Sequence, residues 1–364
     1  MDYHISDALT ATLGLSYTDD QKDITIKQTN TDALSNIDFN STPTLFGVPA
    51  NLIPTVAPAI PTLQSFQFLP PVLELPNSIE DGNSSDSKTT WSVRLAYELN
   101  RNVNFFATAA TGFKATSWNL SRDTRPFLTD QSVLTSAGLL QANQNYGTRF
   151  AGPEESTVYE IGMKTSFKQG AFNITLFDQT IEGFQSSTFV GTGFVLANAG
   201  QQSTKGVEFD SVYRATDEIS LTFAGTLLDP IYDSFVGASG ITGPIDLSGE
   251  KPSGIHEQSF TAGITYDFEF ENGYYGYARA DYLYESEVRL VSNLPESMTR
   301  QVSTLNLSAG LNFDNGVSMQ VWVRNLNNDE YFLSGFPPPI QAGSFDAYPN
   351  QPRTFGASIS YMFD

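Results

Sequence analysis

The sequence predicts an all-β protein, and more specifically an antiparallel transmembrane β-barrel of about twelve meandering strands. Apolar and polar residues alternate along many segments, short turns alternate with long loops, and aromatic residues cluster near the ends of strands. Ser303–Phe313 shows the alternation well, because the odd positions from Leu305 onward are apolar or small and the even positions are polar or glycine. Side chains alternate between the two faces of a strand, so a period of two predicts one apolar and one polar face.

The same alternation recurs along the chain and defines the predicted strands. We expect them at 9–27, 88–98, 103–115, 155–168, 171–186, 203–215, 218–234, 257–270, 273–290, 299–313, 317–332 and 352–363. Residues 2–4 are interpreted as the tail of a preceding strand, and residues 5–8 as the turn that follows it.

The connections between these strands fall into two classes. Short turns such as "KQG", "FENG" and "FDNG" contain glycine or asparagine, which supply the positive φ of tight hairpins. Between them lie long loops, at roughly 28–87, 116–154, 187–202, 235–256, 291–298 and 333–351. Short turns at one end and long loops at the other are typical of outer-membrane barrels. A soluble all-β architecture with glycine-rich turns is the alternative.

The polar faces of the predicted strands carry charge of both signs. The charged residues that the alternation places there are Arg94, Lys114, Glu160, Lys164, Glu208, Asp210, Arg214, Arg279, Asp281, Glu285 and Arg324. Hydrocarbon does not tolerate such charges, and a sandwich core could not bury so many unpaired ions. We therefore expect these residues to face water or another polar surface, and the apolar face to meet lipid.

Composition excludes several classes of function. The chain has 364 residues with a formal net charge of -21, so it lacks the basic surplus that nucleic-acid binding requires. It contains no cysteine, which excludes disulfides and cysteine-based metal sites or nucleophiles. No apolar run is long enough for a transmembrane helix. The N-terminal residues "MDYHISDALT" lack a basic region and an apolar region, so we expect no signal peptide.

Near the C-terminus the chain resembles the TonB-dependent outer-membrane receptors. "RNLNNDEYF" is similar to a family pattern through Asn325, Leu326, Asn328 and Tyr331. "QPRTFGASISYMF" follows with the family's Pro-Arg-Thr-aromatic-Gly sequence and an aromatic final strand. Upstream, "FFATAATGFKA", "YEIGMKTSF" and "STKGVEFD" resemble successive strands of the same barrel.

This resemblance implies a 22-stranded barrel that encloses a plug domain. With about twelve strands, residues 1–364 are expected to be a partial barrel domain, strands 11 to 22, without plug or signal peptide. The parent protein is expected in the Gram-negative outer membrane, where lipid, lipopolysaccharide, the TonB complex and the barrel-assembly machinery are its partners. The residues expected to form the assembly signal are Phe355, Ile359, Tyr361 and Phe363. Sequences of the family normally end on an aromatic residue, whereas here Asp364 follows Phe363.

The implied function is energy-dependent uptake of a nutrient, with a ferric siderophore or another small-molecule iron chelate as the expected substrate. Trp118, Arg122 and Arg125 are the expected ligand contacts, because aromatic and arginine side chains suit anionic, aromatic chelates. The alternative is a passive twelve-stranded porin-like channel or translocator pore, since an even number of strands permits closure. The role of the proline-rich loop 42–76 is left open.

We do not expect an enzyme. The only histidines are His4 and His256, both expected to be exposed to solvent, and no "GxSxG" or comparable motif accompanies the many serines and acids. No cofactor or metal site is expected. Loop acids such as Asp81, Asp86, Asp123 and Asp130 could bind calcium or bridge lipopolysaccharide, but without "DxDxDG" spacing we interpret them as solvated charge.

Overall fold

An antiparallel sheet of thirteen strands dominates the computed structural model. The structure describes residues 1–27, 37, 48–60, 79–120, 131–136, 149–190, 193–240, 243–271, 273–292, 294–338 and 344–363. In chain order the strands are β1 Asp2–His4, β2 Leu9–Lys27, β3 Ile79–Asn100, β4 Val103–Lys114, β5 Ser117–Trp118, β6 Phe150–Ala151, β7 Glu154–Phe167, β8 Gly170–Glu182, β9 Gln185–Val190, β10 Gly193–Asn198, β11 Gln201–Arg214, β12 Ile219–Ser234, β13 Val236–Gly240, β14 Gly243–Asp246, β15 Gln258–Glu269, β16 Tyr275–Arg289, β17 Thr299–Asn312, β18 Val317–Arg324, β19 Phe332–Phe336, β20 Asp346–Pro349 and β21 Thr354–Tyr361.

The main sheet is a meander in which each strand pairs with its neighbours along the chain, apart from the strands inserted in the loops. Its order is β1-β2-β3-β4-β7-β8-β11-β12-β15-β16-β17-β18-β21. The other eight strands form four small two-stranded sheets within the long connections. The helical segments are short, with α1 at Ile53–Val56, α2 at Gln131–Ser136 and 3-10 turns at Ala50–Leu52 and Ala57–Ala59. Among the described residues, no helix has both the length and the apolar character needed to cross a membrane.

The predicted strands are all present, and two of their boundaries differ from the prediction by eight residues or more, the others by at most four. Strand β3 begins at Ile79 rather than at 88, because polar residues continue the ladder with β2 as far as the pair Lys27 and Ile79. Backbone hydrogen bonds hold this extension without the apolar face on which the sequence prediction depends. Strand β18 ends at Arg324 rather than at 332, because Asn325 adopts a φ of 51° and breaks the extended conformation.

The two faces of the main sheet differ as the alternation predicts. One face, here called the outer face, exposes large apolar side chains such as Leu15, Trp91, Ile161, Phe223 and Ile264. The opposite face, here called the inner wall, carries the polar members of the same strands. The register transmits this division from strand to strand, because cross-strand partners point to the same side of an antiparallel sheet.

Aromatic side chains of the inner wall pack over glycines of the neighbouring strand at four places. The pairs are Phe106 over Gly162, Phe177 over Gly206, Tyr277 over Gly310 and Trp322 over Gly356. A Cβ added at Gly162 would lie 2.5 Å from the ring of Phe106, so the close contact depends on the glycine. These rings cover backbone that would otherwise be bare, and each one ties two strands together.

The long connections also carry an apolar core of their own. Ala199, Tyr232, Phe235, Ala238 and Leu247 are buried together, with Phe184 and Ile245 packed against them. The hairpin β13–β14 supplies Ala238 and Ile245, and Phe184 and Ala199 flank the hairpin β9–β10. The sheet therefore exposes its apolar face, whereas this buried cluster stabilises the loops beyond one end of it.

The main sheet ends at β1 on one side and at β21 on the other. Among the described residues, no ladder joins these two edges. Each edge therefore presents backbone groups that are free to pair with further strands.

Candidate functional site

The inner wall collects the eleven charged residues that the alternation assigned to the polar face. Arg94 is the register partner of Thr108, which in turn pairs with Glu160. Lys164 and Asp210 both pair with Asn173, so these three also form one row across the sheet. Further along, Arg279 pairs with Ser308, and Ser308 with Trp322.

Several of these charges already have partners within the wall. The Nε of Arg279 donates to Asp281 Oδ2 at 2.8 Å, and its Nη1 donates to Thr265 Oγ1 at 3.0 Å. Lys114 Nζ lies 3.4 Å from Glu154 Oε1. Asp210 accepts a hydrogen bond of 2.9 Å from Asn173. The side chains of Arg279 and Asp281 are about two-fifths exposed, so the wall is a hydrated surface rather than a buried core.

Aromatic rings hold other cations of the wall in place. The guanidinium of Arg94 lies 4.9 Å from the centre of the Phe106 ring, and Lys164 Nζ lies 5.7 Å from the same centre. Arg324 lies 5.0 Å from the Trp322 ring. Such contacts orient a cation without neutralising it, so its charge stays available to an opposing surface.

A buried polar cluster lies where β15, β16 and β17 meet the long loops. His256 is 8% exposed, so the expectation of a solvent-exposed histidine is wrong at this position. Its Nδ1 contacts the carbonyl oxygen of Ser286, and its Nε2 lies 2.6 Å from Arg300 Nη2 and 3.2 Å from Glu285 Oε2. Because both ring nitrogens contact these groups, His256 ties strands together and is not placed to activate a serine hydroxyl. His4 is exposed, as expected, and contacts Thr10.

The "RNLNNDEYF" segment forms a clasp at the same end of the sheet. The side-chain amide of Asn325, which is 6% exposed, donates to Asp329 O at 2.9 Å and to Gln351 O at 3.2 Å. Asn328 Oδ1 accepts from Arg353 N at 3.1 Å. Both asparagines have positive φ, a conformation that asparagine tolerates better than most residues. The clasp therefore joins the end of β18 to the start of β21.

Trp118 packs within the loop region instead of standing free in solvent. Its ring lies 5.1 Å from that of Phe150, its edge covers Gly82, and its Nε1 donates to Ser84 Oγ at 3.1 Å. The two other expected ligand contacts, Arg122 and Arg125, lie outside the described residues. Of the loop acids, Asp123 and Asp130 also lie outside them, and Asp86 accepts a hydrogen bond from Thr116 N at 3.0 Å.

The four residues of the expected assembly signal are all exposed. Phe355, Ile359 and Tyr361 alternate along β21 on the outer face, and Phe363 follows the strand. Their exposed fractions are 82%, 71%, 53% and 84% in chain order. They form an apolar stripe on the edge strand of the sheet.

The sequence pattern did not predict two features of this region. The His256 cluster joins the segment before β15 to strands β16 and β17, so no local motif predicts it, although the scarcity of histidine is a weak signal. The structural role of Asn325 was also missed, and its signal was the density of asparagine in "RNLNND".

The family description "TonB dependent receptor-like, beta-barrel" matches residues 1–326, and the chain belongs to this family. Proteins of the family reside in the Gram-negative outer membrane and are transport receptors rather than enzymes. No curated protein matches the chain in sequence.

Solved receptor structures share the fold at low sequence identity. The ferric yersiniabactin uptake receptor FyuA from Yersinia pestis aligns with a TM-score of 0.67 and 15% identity, covering 98% of this chain and 44% of that one. The siderophore receptor PiuA from Acinetobacter baumannii aligns with a TM-score of 0.62 and 16% identity, covering 98% of this chain and 41% of that one. The copper transporter OprC aligns with a TM-score of 0.62 and 11% identity, covering 99% of this chain and 47% of that one. The chain thus spans less than half the length of these structures. The family match favours a receptor barrel over a porin-like channel.

Proposed function

We propose that this chain forms about half of the barrel wall of an outer-membrane receptor that takes up a ferric siderophore with energy supplied through TonB. The observation that carries the proposal is the two-faced meander, with an apolar outer face and a charged inner wall, in a member of the TonB-dependent receptor family. FyuA is a ferric yersiniabactin uptake receptor and PiuA is a siderophore receptor, which supports an iron chelate as the substrate class.

The inner wall suits contact with a plug domain. Its charges have both signs and stay partly exposed, so a docked polar surface can pair with them. Arg94 and Lys164 offer cations beside the Phe106 ring, whereas Glu160, Glu208 and Asp210 offer carboxylates.

The long loops would form the mouth that meets the ligand. Trp118 is held by Phe150 and Ser84, so its position is fixed before a ligand arrives. We assign ligand contact to Trp118, Arg122 and Arg125, because a fixed aromatic ring and two arginines close to it in the sequence suit an anionic, aromatic chelate. At the opposite end, the stripe from Phe355 to Phe363 would be read by the barrel-assembly machinery.

The test is uptake of radioactive iron, supplied as ferric siderophores, by cells that lack every other siderophore receptor. We expect the whole protein to restore uptake with at least one siderophore, and deletion of TonB to abolish it. Iron that enters equally without TonB would support a passive channel instead. No uptake of any chelate from a correctly assembled barrel would refute the siderophore assignment.

A further inference from the structure

The contacts of the buried histidine define which of its ring nitrogens carries the proton. Ser286 O is a carbonyl oxygen, which only accepts hydrogen bonds, so the Nδ1 of His256 that contacts it is the donor. In a neutral imidazole the other nitrogen then has no proton and acts as an acceptor. Nε2 of His256 accordingly accepts from Arg300, at 3.2 Å from Nε and 2.6 Å from Nη2.

A β-bulge in strand β16 makes this carbonyl oxygen available. The ladder between β16 and β17 shifts register between Glu285 and Val288, so Ser286 lies outside the regular pairing. Its carbonyl oxygen accepts from His256, and its Oγ accepts from Gln258 N at 3.1 Å. The bulge therefore holds the imidazole in one position.

Protonation of the imidazole would exchange one partner of Nε2 for another. A proton turns Nε2 from an acceptor into a donor, and the guanidinium of Arg300 offers only donors. Glu285 Oε2 lies 3.2 Å from Nε2 but 3.5 Å from Arg300 Nη2, so the cationic imidazole would pair with Glu285 and repel Arg300. The arginine is the partner that moves, because its side chain is 22% exposed whereas that of His256 is 7% exposed and held by Ser286.

Arg300 also reaches the last long loop of the chain. Its Nη1 lies 3.5 Å from Leu333 O in β19, which pairs with β20 as a small hairpin. This hairpin packs closely on the loop before β17, since a Cβ added at Gly335 would lie 2.9 Å from Leu294 Cδ1. Arg300 therefore links the histidine to the hairpin β19–β20, and its displacement would remove that link.

The other charged groups around the cluster do not compete for the imidazole. On the elements that surround His256 they are Lys251, Glu257, Glu287, Arg289, Glu296, Asp329, Glu330 and Asp346. Glu296 and Asp346 are exposed, and each of the other six contacts another side chain or a backbone group. Among the described residues, Glu285 is therefore the carboxylate that faces Nε2.

We propose that His256 is a pH-sensitive switch that holds the hairpin β19–β20 at neutral pH and releases it at acid pH. Histidine changes its charge between about pH 5 and 8, so a fall in pH through this range turns Nε2 from acceptor to donor. Long loops are extracellular in outer-membrane barrels, so the switch responds to the pH outside the cell. It acts on the hairpin whatever substrate the receptor carries, and in this it goes beyond the proposed function.

The test is hydrogen exchange in the whole protein, in mild detergent, at about pH 5 and about pH 8. Protection factors are compared, because they correct for the intrinsic pH dependence of exchange. We expect the protection of residues 332–336 to fall about tenfold at the acid pH. In His256→Gln the amide can donate to Ser286 O and accept from Arg300 but takes up no proton, so protection should stay high at both pH values.

The matched control is His4→Gln, which changes the exposed histidine and should respond to pH as the wild type does. A wild type without a pH response, or a wild-type response in His256→Gln, would overturn the proposal. Arg300→Gln removes the link to Leu333, so its hairpin should be weakly protected at both pH values.

A second measurement observes the histidine itself and does not depend on the folding of a variant at His256. The chain has two histidines, so His4→Gln labelled with ¹³C at histidine Cε1 gives one NMR signal, that of His256. We expect this signal to shift as the pH is lowered from about 8 to about 5. A signal that keeps its position over this range would overturn the proposal. Neither measurement involves iron uptake, so failure of the switch and failure of the proposed function are distinguishable.

Discussion

At the scale of single residues, Asn325 explains why the family pattern contains asparagine. The position requires positive φ and a buried amide that reaches both Asp329 and Gln351. Glycine meets the first requirement, and most other polar residues meet only the second. Asparagine meets both, so the residue stabilises the connection between two strands and is not available for ligand chemistry.

This leads to a prediction for two substitutions at one position. Asn325→Gly should lower the free energy of unfolding by about 1–3 kcal/mol, because the buried carbonyl partners lose their donor. Asn325→Ala should lower the free energy of unfolding by about 1 kcal/mol more, because alanine, unlike glycine, is strained in the left-handed conformation that this position requires. Urea unfolding of the assembled barrel measures both. Asn102→Ala, in an exposed turn, serves as the control, and an equal effect at both sites would contradict the assignment.

At the scale of elements, the loops are hairpins packed on a core of their own. Phe235 is 3% exposed, and its ring lies 5.1 Å from that of Tyr232 in an edge-to-face arrangement. Ser248 Oγ accepts the hydrogen bond of Phe235 N at 2.9 Å. Ser248 also donates to Asp246 and holds the pKa of that carboxyl below its usual value. The hairpin β13–β14 is thus fixed from both sides.

Phe235→Ala should therefore release this hairpin while leaving the main sheet intact. Removing a buried aromatic ring costs about 3–5 kcal/mol, and here the loss falls on a local unit. Hydrogen exchange should become faster in residues 236–240 and 243–247 and stay slow in the central strands. The control Val236→Ala changes a side chain that is 74% exposed and should leave exchange unchanged. Faster exchange throughout the sheet would mean that the loop core supports the whole fold.

At the scale of the whole molecule, the open edges decide what the chain can do alone. Strands β1 and β21 lie at opposite edges, and no ladder joins them among the described residues. Unpaired strand edges recruit other chains, so closure would need additional strands. The relatives of solved structure are more than twice as long as the stretch that they share with this chain.

We therefore predict that residues 1–364, refolded by themselves in detergent, associate into oligomers or aggregates. Size-exclusion chromatography with light scattering measures the mass, and planar bilayers measure conductance. A protein with paired edges, such as the whole receptor, is the matched control and should stay monodisperse. A monomer that conducts ions steadily would mean that the sheet closes on itself, which is the behaviour of the passive pore.

The sequence by itself determined the faces and the connections of the sheet. The alternation in Ser303–Phe313 is enforced by the pleat, so it predicts the exposed side of β17 without reference to any other strand. Turn residues such as those of "FDNG" likewise act locally, which is why the short connections lie where they were predicted. The family resemblance followed from motifs in fixed order, and the family comparison confirms it.

The tertiary structure alone decided how distant residues meet. His256, Glu285 and Arg300 come together because the pairing of β15, β16 and β17 brings the segment before β15 beside the other two strands, and no sequence periodicity carries that information. The extension of β3 to Ile79 depends on its partner strand, since its polar residues give no signal of their own. Asp178, Lys205 and Asp229 form a row only because of the register between their strands. The pattern within each single strand does not specify that register.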